Sequence, residues 1–219
     1  MELVTAKTAS VVVKSLFNAL KEAYQEYGAY RVGVFLSTID TEVETMSVES
    51  QKEFNDFLGC SKTKKVLADY ASAISNTSSE ISLRALALLF VDEKCVEFSE
   101  QQKIRFISCT YGIDDLKVNL FIKLASLNKV AIDSVYPIFV INNENFSGLN
   151  LNVELDELFA YAEDFLKRGL ILKDPRARGG SNFYSPKSSD WSICFGISAT
   201  LQRYAALLSR AKYLAGNTL

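Results

Sequence analysis

The chain has 219 residues, of which 48% are hydrophobic and 23% are charged, with only three prolines and ten glycines; this composition is typical of a globular protein and excludes intrinsic disorder. Its 24 lysines and arginines nearly balance its 26 aspartates and glutamates, so the net charge of −2 excludes a whole-protein attraction to nucleic acid or to an anionic membrane. There is no signal-peptide pattern, no apolar run near the roughly 20 residues of a membrane-spanning helix, and no C-x-x-C pair. The sequence therefore predicts a soluble, cytoplasmic protein without a membrane partner.

Helical spacing marks the first part of the chain. Residues 8–27 place apolar side chains at helical intervals, and Gly28 is predicted to end that helix as its C-cap. Residues 30–39 favour a second short helix, with a strand as the alternative because of their valine and phenylalanine content. The stretch 40–57 carries six acids against one lysine and predicts a helix that ends at Gly59 with a solvated acidic face.

The predicted core lies in residues 81–91. An amphipathic pattern over 62–75 comes first, followed by the polar run 75–79, which supplies an N-cap for the next helix. Residues 81–91 leave almost no polar face, and a helix that is apolar all round belongs at the centre of a bundle. This segment should therefore be surrounded by the other helices.

Two local signals predict where the following helices begin. Ser99, with Gln102 three residues later, is a capping-box pattern ahead of an apolar run. Asp114 and Asp115 stand at the start of a helix through Leu127, where acids are favoured by the helix dipole.

A change of pattern near residue 130 predicts the domain organisation. Residues 130–141 are β-branched and aromatic but contain Pro137, which restricts them to an edge strand or an extended connector. The chain is accordingly divided into a helical bundle (1–130), a connector (131–150) and a small α+β module (151–219), packed either as one domain or as two.

The C-terminal third alternates helix and strand. After Asn152, a predicted N-cap, apolar residues follow helical spacing for about four turns until Gly169, which is predicted to take the left-handed cap. A strand over 170–172, a polar turn-rich loop, a second strand over 192–197 and a last helix over 200–214 complete the pattern.

This order, with "FLKRGLIL" at the end of the amphipathic helix and an apolar strand returning after the loop, resembles the tail half of a winged-helix module over about residues 150–214. The resemblance implies duplex recognition by a helix in the major groove together with a basic wing, or else a protein-docking or dimerisation unit. The sequence departs from a DNA-reading helix because its cations are only Lys167 and Arg168, at the very end.

The sequence provides no catalytic, metal-binding or cofactor-binding residue that we can identify. Without any histidine, a Ser-His-Asp or Cys-His arrangement and the common Cys/His zinc sites are impossible. Gly179 and Gly180 lie in a polar loop and not at a strand-to-helix turn, so no nucleotide site is indicated. A carboxylate-dependent metal hydrolase remains an alternative, with Asp114 and Asp115 as the nearest pair, although helix capping explains both. The cysteines lie in apolar surroundings that suit core packing.

One basic cluster stands out between residues 165 and 190. Cations outnumber acids there and aromatic residues are interleaved with them, a combination that suits contact with phosphates, with bases or with an acidic protein surface. A solvated loop is the alternative interpretation. The predicted contact residues are Lys173, Arg176, Arg178, Phe183, Tyr184 and Lys187.

The predicted function is that of a binding or regulatory module and not an enzyme. The first hypothesis is nucleic-acid association through Arg176 and Arg178, with the acidic stretch 40–56 facing away or regulating access. The alternative is a non-catalytic protein-interaction or oligomerising component, for example of a bacterial accessory or defence system. Such a component would bind through a stripe of apolar residues on the last helix. Packing of that helix into the core explains the same spacing. No small-molecule ligand is inferred.

Overall fold

The fold is mainly helical, with a small antiparallel sheet toward the C-terminus. A computed structural model describes residues 25–59, 61–91, 98–131, 133–175, 183–184 and 191–216. Its helices are α1 (25–44), α2 (Val48–Gly59), α3 (Ser61–Asn76), α4 (Glu80–Val91), α5 (Glu100–Cys109), α6 (Asp115–Ala125), α7 (Leu155–Arg168) and α8 (Ala199–Gly216). Its strands are β1 (Ile138–Asn142), β2 (Leu172–Lys173), β3 (Phe183–Tyr184) and β4 (Ser192–Gly196). The predicted fold class is confirmed at this level.

Helix α4 forms the centre of the core. Every residue from Ile81 to Val91 is buried, as a sequence with almost no polar face predicts, and the buried set includes the polar Ser82 and Arg84. Helix α8 packs against both α4 and α6, and the rings of Tyr70 and Phe90 meet edge to face at 5.1 Å. Buried side chains from Val34 to Ala211 belong to one hydrophobic cluster, so the helices and the sheet share a core.

Helix α1 includes residues that were predicted to be helical and one residue that was predicted to end a helix. Residues 30–39 are helical, as favoured, but Gly28 lies within α1 and does not end a helix. Its backbone stays helical because the same helix buries Val34 and Phe35 farther along, and that burial outweighs the weak helix preference of one glycine. Most of the helix predicted over 8–27 lies outside the described residues.

The structure confirms the predicted capping residues at three helix ends. The Gln102 amide donates to Ser99 Oγ at 3.3 Å, and the Ser99 amide donates to Gln102 Oε1 at 2.9 Å, which completes the capping box. The Lys117 amide donates to Asp114 Oδ1 at 2.8 Å, so Asp114 caps α6. Gly169 ends α7 in the left-handed conformation, with φ of 71°.

The predicted N-cap of α7 is wrong. Asn152 has a left-handed backbone with φ of 57°, and the helix is capped two residues later at Glu154. The Glu154 amide donates to Glu157 Oε2 at 3.1 Å. An asparagine tolerates the left-handed conformation better than most residues, and here it serves the turn that leads into the helix.

Strand β4 is the central strand of the sheet. It pairs with β1 in antiparallel register, from Ile138 opposite Gly196 to Asn142 opposite Ser192. Its other edge pairs with β2 at Gly196 and with β3 at Ile193. Because a strand has only two edges, β2 and β3 lie one after the other along the same side of β4.

The strand predicted over 170–172 begins later than expected, since β2 starts at Leu172. The amides of Leu170 and Ile171 instead donate to the carbonyl oxygen of Phe165, at 2.8 and 3.4 Å. These bonds satisfy a carbonyl group in the last turn of α7, so the residues belong to the helix end.

Strand β1 is an edge strand that starts after Pro137, as predicted for this segment. The carbonyl oxygens that face away from β4 accept hydrogen bonds from the chain itself. The donors are the Val130 amide to Ile138 at 2.8 Å, Asn145 Nδ2 to Val140 at 3.0 Å and the Phe146 amide to Asn142 at 3.0 Å. The outer edge of the sheet is thus largely closed by neighbouring loop residues.

Candidate functional site

Helix α7 is positioned by a buried apolar face that packs against the helical core and the sheet. The ring of Phe165 lies edge to face with Phe121 of α6 at 6.1 Å, and Phe159 contacts Trp191 in the same manner at 5.7 Å. The buried side chains are Leu158, Ala162 and Phe165. This packing determines which residues of α7 face outward.

The outward side of α7 is acidic. Asp156, Ala160, Glu163 and Lys167 lie along one face at helical spacing and are exposed, and Glu157 is exposed beside them. We refer to these five residues as the α7 outer face. Lys167 is its only cation.

Arg168, the other cation predicted at the end of this helix, points inward. Its Nε donates to Asp164 Oδ1 and Oδ2, each at 3.0 Å, and its Nη1 donates to the carbonyl oxygens of Cys109 and Tyr111. Lys117 Nζ reaches the same carboxylate at 3.1 Å. We call this set of groups the joint network, because it connects the α5–α6 turn to α7.

Two neighbouring cations keep the carboxyl group of Asp164 ionised. Partial burial raises its pKa, but the hydrogen bonds and charges of Lys117 and Arg168 lower it more, so the pKa lies below its ordinary value. Arg168 is therefore held by an ionised carboxylate at neutral pH, and its guanidinium is committed to contacts within the chain.

The Cys109 thiol beside this network is a core group. Its Sγ donates to the Arg168 carbonyl oxygen at 3.0 Å, and burial raises its pKa to about 11. The thiol is therefore protonated at neutral pH, and its buried position agrees with the core-packing role expected for the cysteines. Cys60 and Cys95 lie outside the described residues.

The basic loop is described only at its base. Lys173 is exposed at the end of β2, and the backbone of Phe183 and Tyr184 pairs with β4. Arg176, Arg178 and Lys187 lie outside the described residues. The segment between β2 and β3 therefore leaves and rejoins the sheet along one edge of β4.

Tyr136 holds the starting point of this loop. Its hydroxyl donates to the Lys173 carbonyl oxygen, and its ring covers Gly196 so closely that a Cβ there would lie 2.1 Å from a ring carbon. Only glycine permits this approach at that point of β4. Sequence spacing provides no signal for it, because the three residues are far apart in the chain.

A cleft of about 600 Å³ between α1, α4, α6 and α8 brings together polar residues that the sequence did not single out. Arg84 is buried, and its Nη2 donates to Glu80 Oε1 at 2.8 Å, while the Tyr30 hydroxyl donates to Glu80 Oε2 at 2.9 Å. We call Tyr30, Glu80 and Arg84 the cleft network. Lys212 of α8 also lines the cleft.

Asp115 also lines the cleft, and its role differs from that of Asp114. Its Oδ1 accepts from Ser79 Oγ at 2.6 Å and from the Ile81 amide at 3.1 Å. It therefore satisfies the N-terminus of α4, while Asp114 caps α6. Among the residues that the structure describes, no three histidine, cysteine, aspartate or glutamate side chains are grouped as a metal ion requires.

No protein-family model, no curated protein and no solved structure matches this chain. Over the described ranges, none of the helices combines the length and apolarity needed to cross a membrane.

Proposed function

We propose that this chain is a non-catalytic protein-binding module whose C-terminal part is winged-helix-like. Helix α7, Gly169, strands β2, β3 and β4 and helix α8 follow along the chain in that order, which supports the helix, strand, loop, strand, helix order of the resemblance except that β3 lies within the segment between its two strands. A shared hydrophobic core holds these elements against the helical bundle. The module serves to dock a partner, and the chemistry of α7 defines which partner.

The acidic outer face of α7 carries this proposal. A helix that reads duplex DNA lies within a groove lined by phosphates, where Asp156, Glu157 and Glu163 are repelled. Lys167 alone opposes them, and Arg168 is bound within the joint network. The face instead complements a basic protein surface, and such charge matching gives specificity and a faster association rate.

Charge reversal on α7 tests the proposal. Tagged wild-type protein and an Asp156→Lys, Glu163→Lys variant are used to isolate partners from the source cells, and cross-linked residues are identified by mass spectrometry. The expected result is a partner whose cross-linked segment is rich in lysine and arginine and whose recovery falls at least about tenfold with the variant.

A matched control is Glu144→Lys, which changes the charge of an exposed residue in the turn after β1 and not on α7. This variant should recover the partner as well as the wild type does. Equal recovery by the α7 variant would contradict the proposal, because the acidic face would then play no part in binding.

Nucleic-acid binding through the basic loop is a second candidate, favoured by the exposed position of Lys173 at the sheet edge. Fluorescence anisotropy of labelled duplex and single-stranded DNA across a salt series tests it, with an Arg176→Ala, Arg178→Ala double variant. Binding that weakens steeply with salt and is lost in the variant would support this candidate. The absence of binding at low salt would reject it.

A further inference from the structure

A second surface, on α1, exposes apolar residues along one side of the helix. Val32 is 45% exposed and Leu36 is 56% exposed, Gly33 is exposed between them, and Ala29 is exposed about one turn before Val32. Positions 29, 32, 33 and 36 follow the spacing that places side chains on one helix face. These four residues, which we call the α1 outer face, point away from the buried Val34 and Phe35.

Nothing in the described part of the chain requires glycine at positions 28 and 33 of α1. A Cβ at Gly28 or Gly33 would meet no atom within 4 Å, and neither backbone is in the left-handed region. Glycine destabilises a helix interior relative to alanine because more backbone entropy is lost on folding. Gly33 instead leaves the centre of the α1 outer face flat, which lets another helix approach closely.

Acidic residues flank this apolar face at both ends. Glu26 and Asp40 are exposed on the same side of α1, about 21 Å apart along the helix axis, and Glu44 follows one turn later. None of the three forms an ion pair with another residue in the described part of the chain. The surface is therefore an apolar strip with a negative charge at each end.

We propose that the α1 outer face docks an amphipathic helix from a partner protein, one whose apolar strip is flanked by lysine or arginine. A second copy of this chain does not fit. Parallel packing would place Glu26 against Glu26, and antiparallel packing would place Glu26 against Asp40. A partner helix with basic flanks meets both acidic ends with opposite charge.

This inference rests on the proposed function as a protein-binding module and adds a separate surface to it. The test is a selection from a displayed library of helical peptides of about 20 residues, with a constant leucine and alanine strip and randomised flanking positions. Wild-type protein and a Gly33→Leu variant serve as baits. The variant should fold, since leucine is a better helix former and the position is open.

The expected result is enrichment of peptides with lysine or arginine at the flanks on wild-type protein, at least about tenfold above the Gly33→Leu variant. A Thr41→Leu variant is the matched control, because position 41 lies about 80° around α1 from Gly33. It should enrich the same peptides as the wild type.

Three results would overturn the proposal. They are equal enrichment on the Gly33→Leu variant, no preference for basic flanks, and a wild-type dimer by light scattering that the variant abolishes. The α7 charge-reversal variant is selected in parallel. If it alone loses the enriched peptides, the α7 proposal stands and the α1 proposal fails; if only Gly33→Leu loses them, the α1 proposal stands without α7.

Discussion

The joint network and the cleft network each surround one carboxylate, but they differ in how completely they do so. Asp164 is contacted by Lys117 and Arg168, and Arg168 is also bound to two backbone carbonyl oxygens. Glu80 is contacted by Arg84 and by one tyrosine hydroxyl, beside an open cleft. The two networks are similarly exposed, so the comparison indicates that the number of cations on the carboxylate, two at Asp164 and one at Glu80, sets how strongly each network stabilises the fold.

Replacing Asp164 with asparagine tests the stronger network and should have the largest effect. The change leaves Lys117 and Arg168 partly buried without their counter-charge, so we expect a loss of about 2–3 kcal/mol in the free energy of unfolding. Urea denaturation measures it. Glu163→Gln removes the same charge from an exposed neighbour on α7 and should change stability little; equal losses for both variants would show that the network is not the cause.

Lowering the pH should remove the contribution of the joint network without any mutation. The pKa of Asp164 in the folded protein lies below its ordinary value of 3.8, so the unfolded chain takes up the proton first as pH falls. The stabilisation is present above that ordinary value and is lost as the pH falls through the lowered folded-state pKa. The difference in the free energy of unfolding between wild type and Asp164→Asn should therefore be largest near about pH 7 and vanish in strong acid. Urea denaturation midpoints measured across this pH range follow it. A difference that is constant with pH would contradict this explanation.

Replacing Glu80 with glutamine should cost less, about 1 kcal/mol, because Glu80 pairs with one cation, Arg84, whereas Asp164 pairs with two. Burial raises the pKa of Glu80, but the hydrogen bonds from Arg84 and Tyr30 lower it more, to below its ordinary value. Thermal denaturation compares the Glu80→Gln variant with Glu100→Gln, a control in which the replaced carboxylate is largely exposed. A cost equal to that of Asp164→Asn would remove the distinction between the two networks.

Replacing Tyr30 with phenylalanine is the smallest change, with an expected loss of about 0.5 kcal/mol for one half-exposed hydrogen bond. Tyr213→Phe is the control, since this residue of α8 is 69% exposed. Differential scanning calorimetry of the two variants and the wild type should place only Tyr30→Phe below the wild-type melting temperature. An unchanged melting temperature would show that the hydroxyl adds nothing to the cleft network.

Features that depend on neighbouring residues were predictable from the sequence. The capping box at Ser99 and Gln102 and the left-handed cap at Gly169 depend on residues within one or two turns. The buried position of α4 was predictable because its apolar residues leave no face for solvent. The wrong boundaries at Gly28 and Asn152 arose where a local preference was overridden by packing or used for a turn.

Features that depend on distant residues were not predictable. Asp115 satisfies the start of α4, which lies 34 residues away in sequence from it, and a local pattern shows only an acid in a first helical turn. The sequence places Arg168 only as a cation at the end of α7, because its contacts with Cys109 and Tyr111 depend on how α7 meets the α5–α6 turn.

The closed outer edge of β1 has a consequence for how this protein behaves when it is concentrated. An exposed strand edge is a template on which further chains can add, and successive addition produces fibrils. Here loop residues already occupy the carbonyl oxygens of Ile138, Val140 and Asn142. Addition of a further chain at this edge would have to break these hydrogen bonds, so the native fold disfavours this route to amyloid.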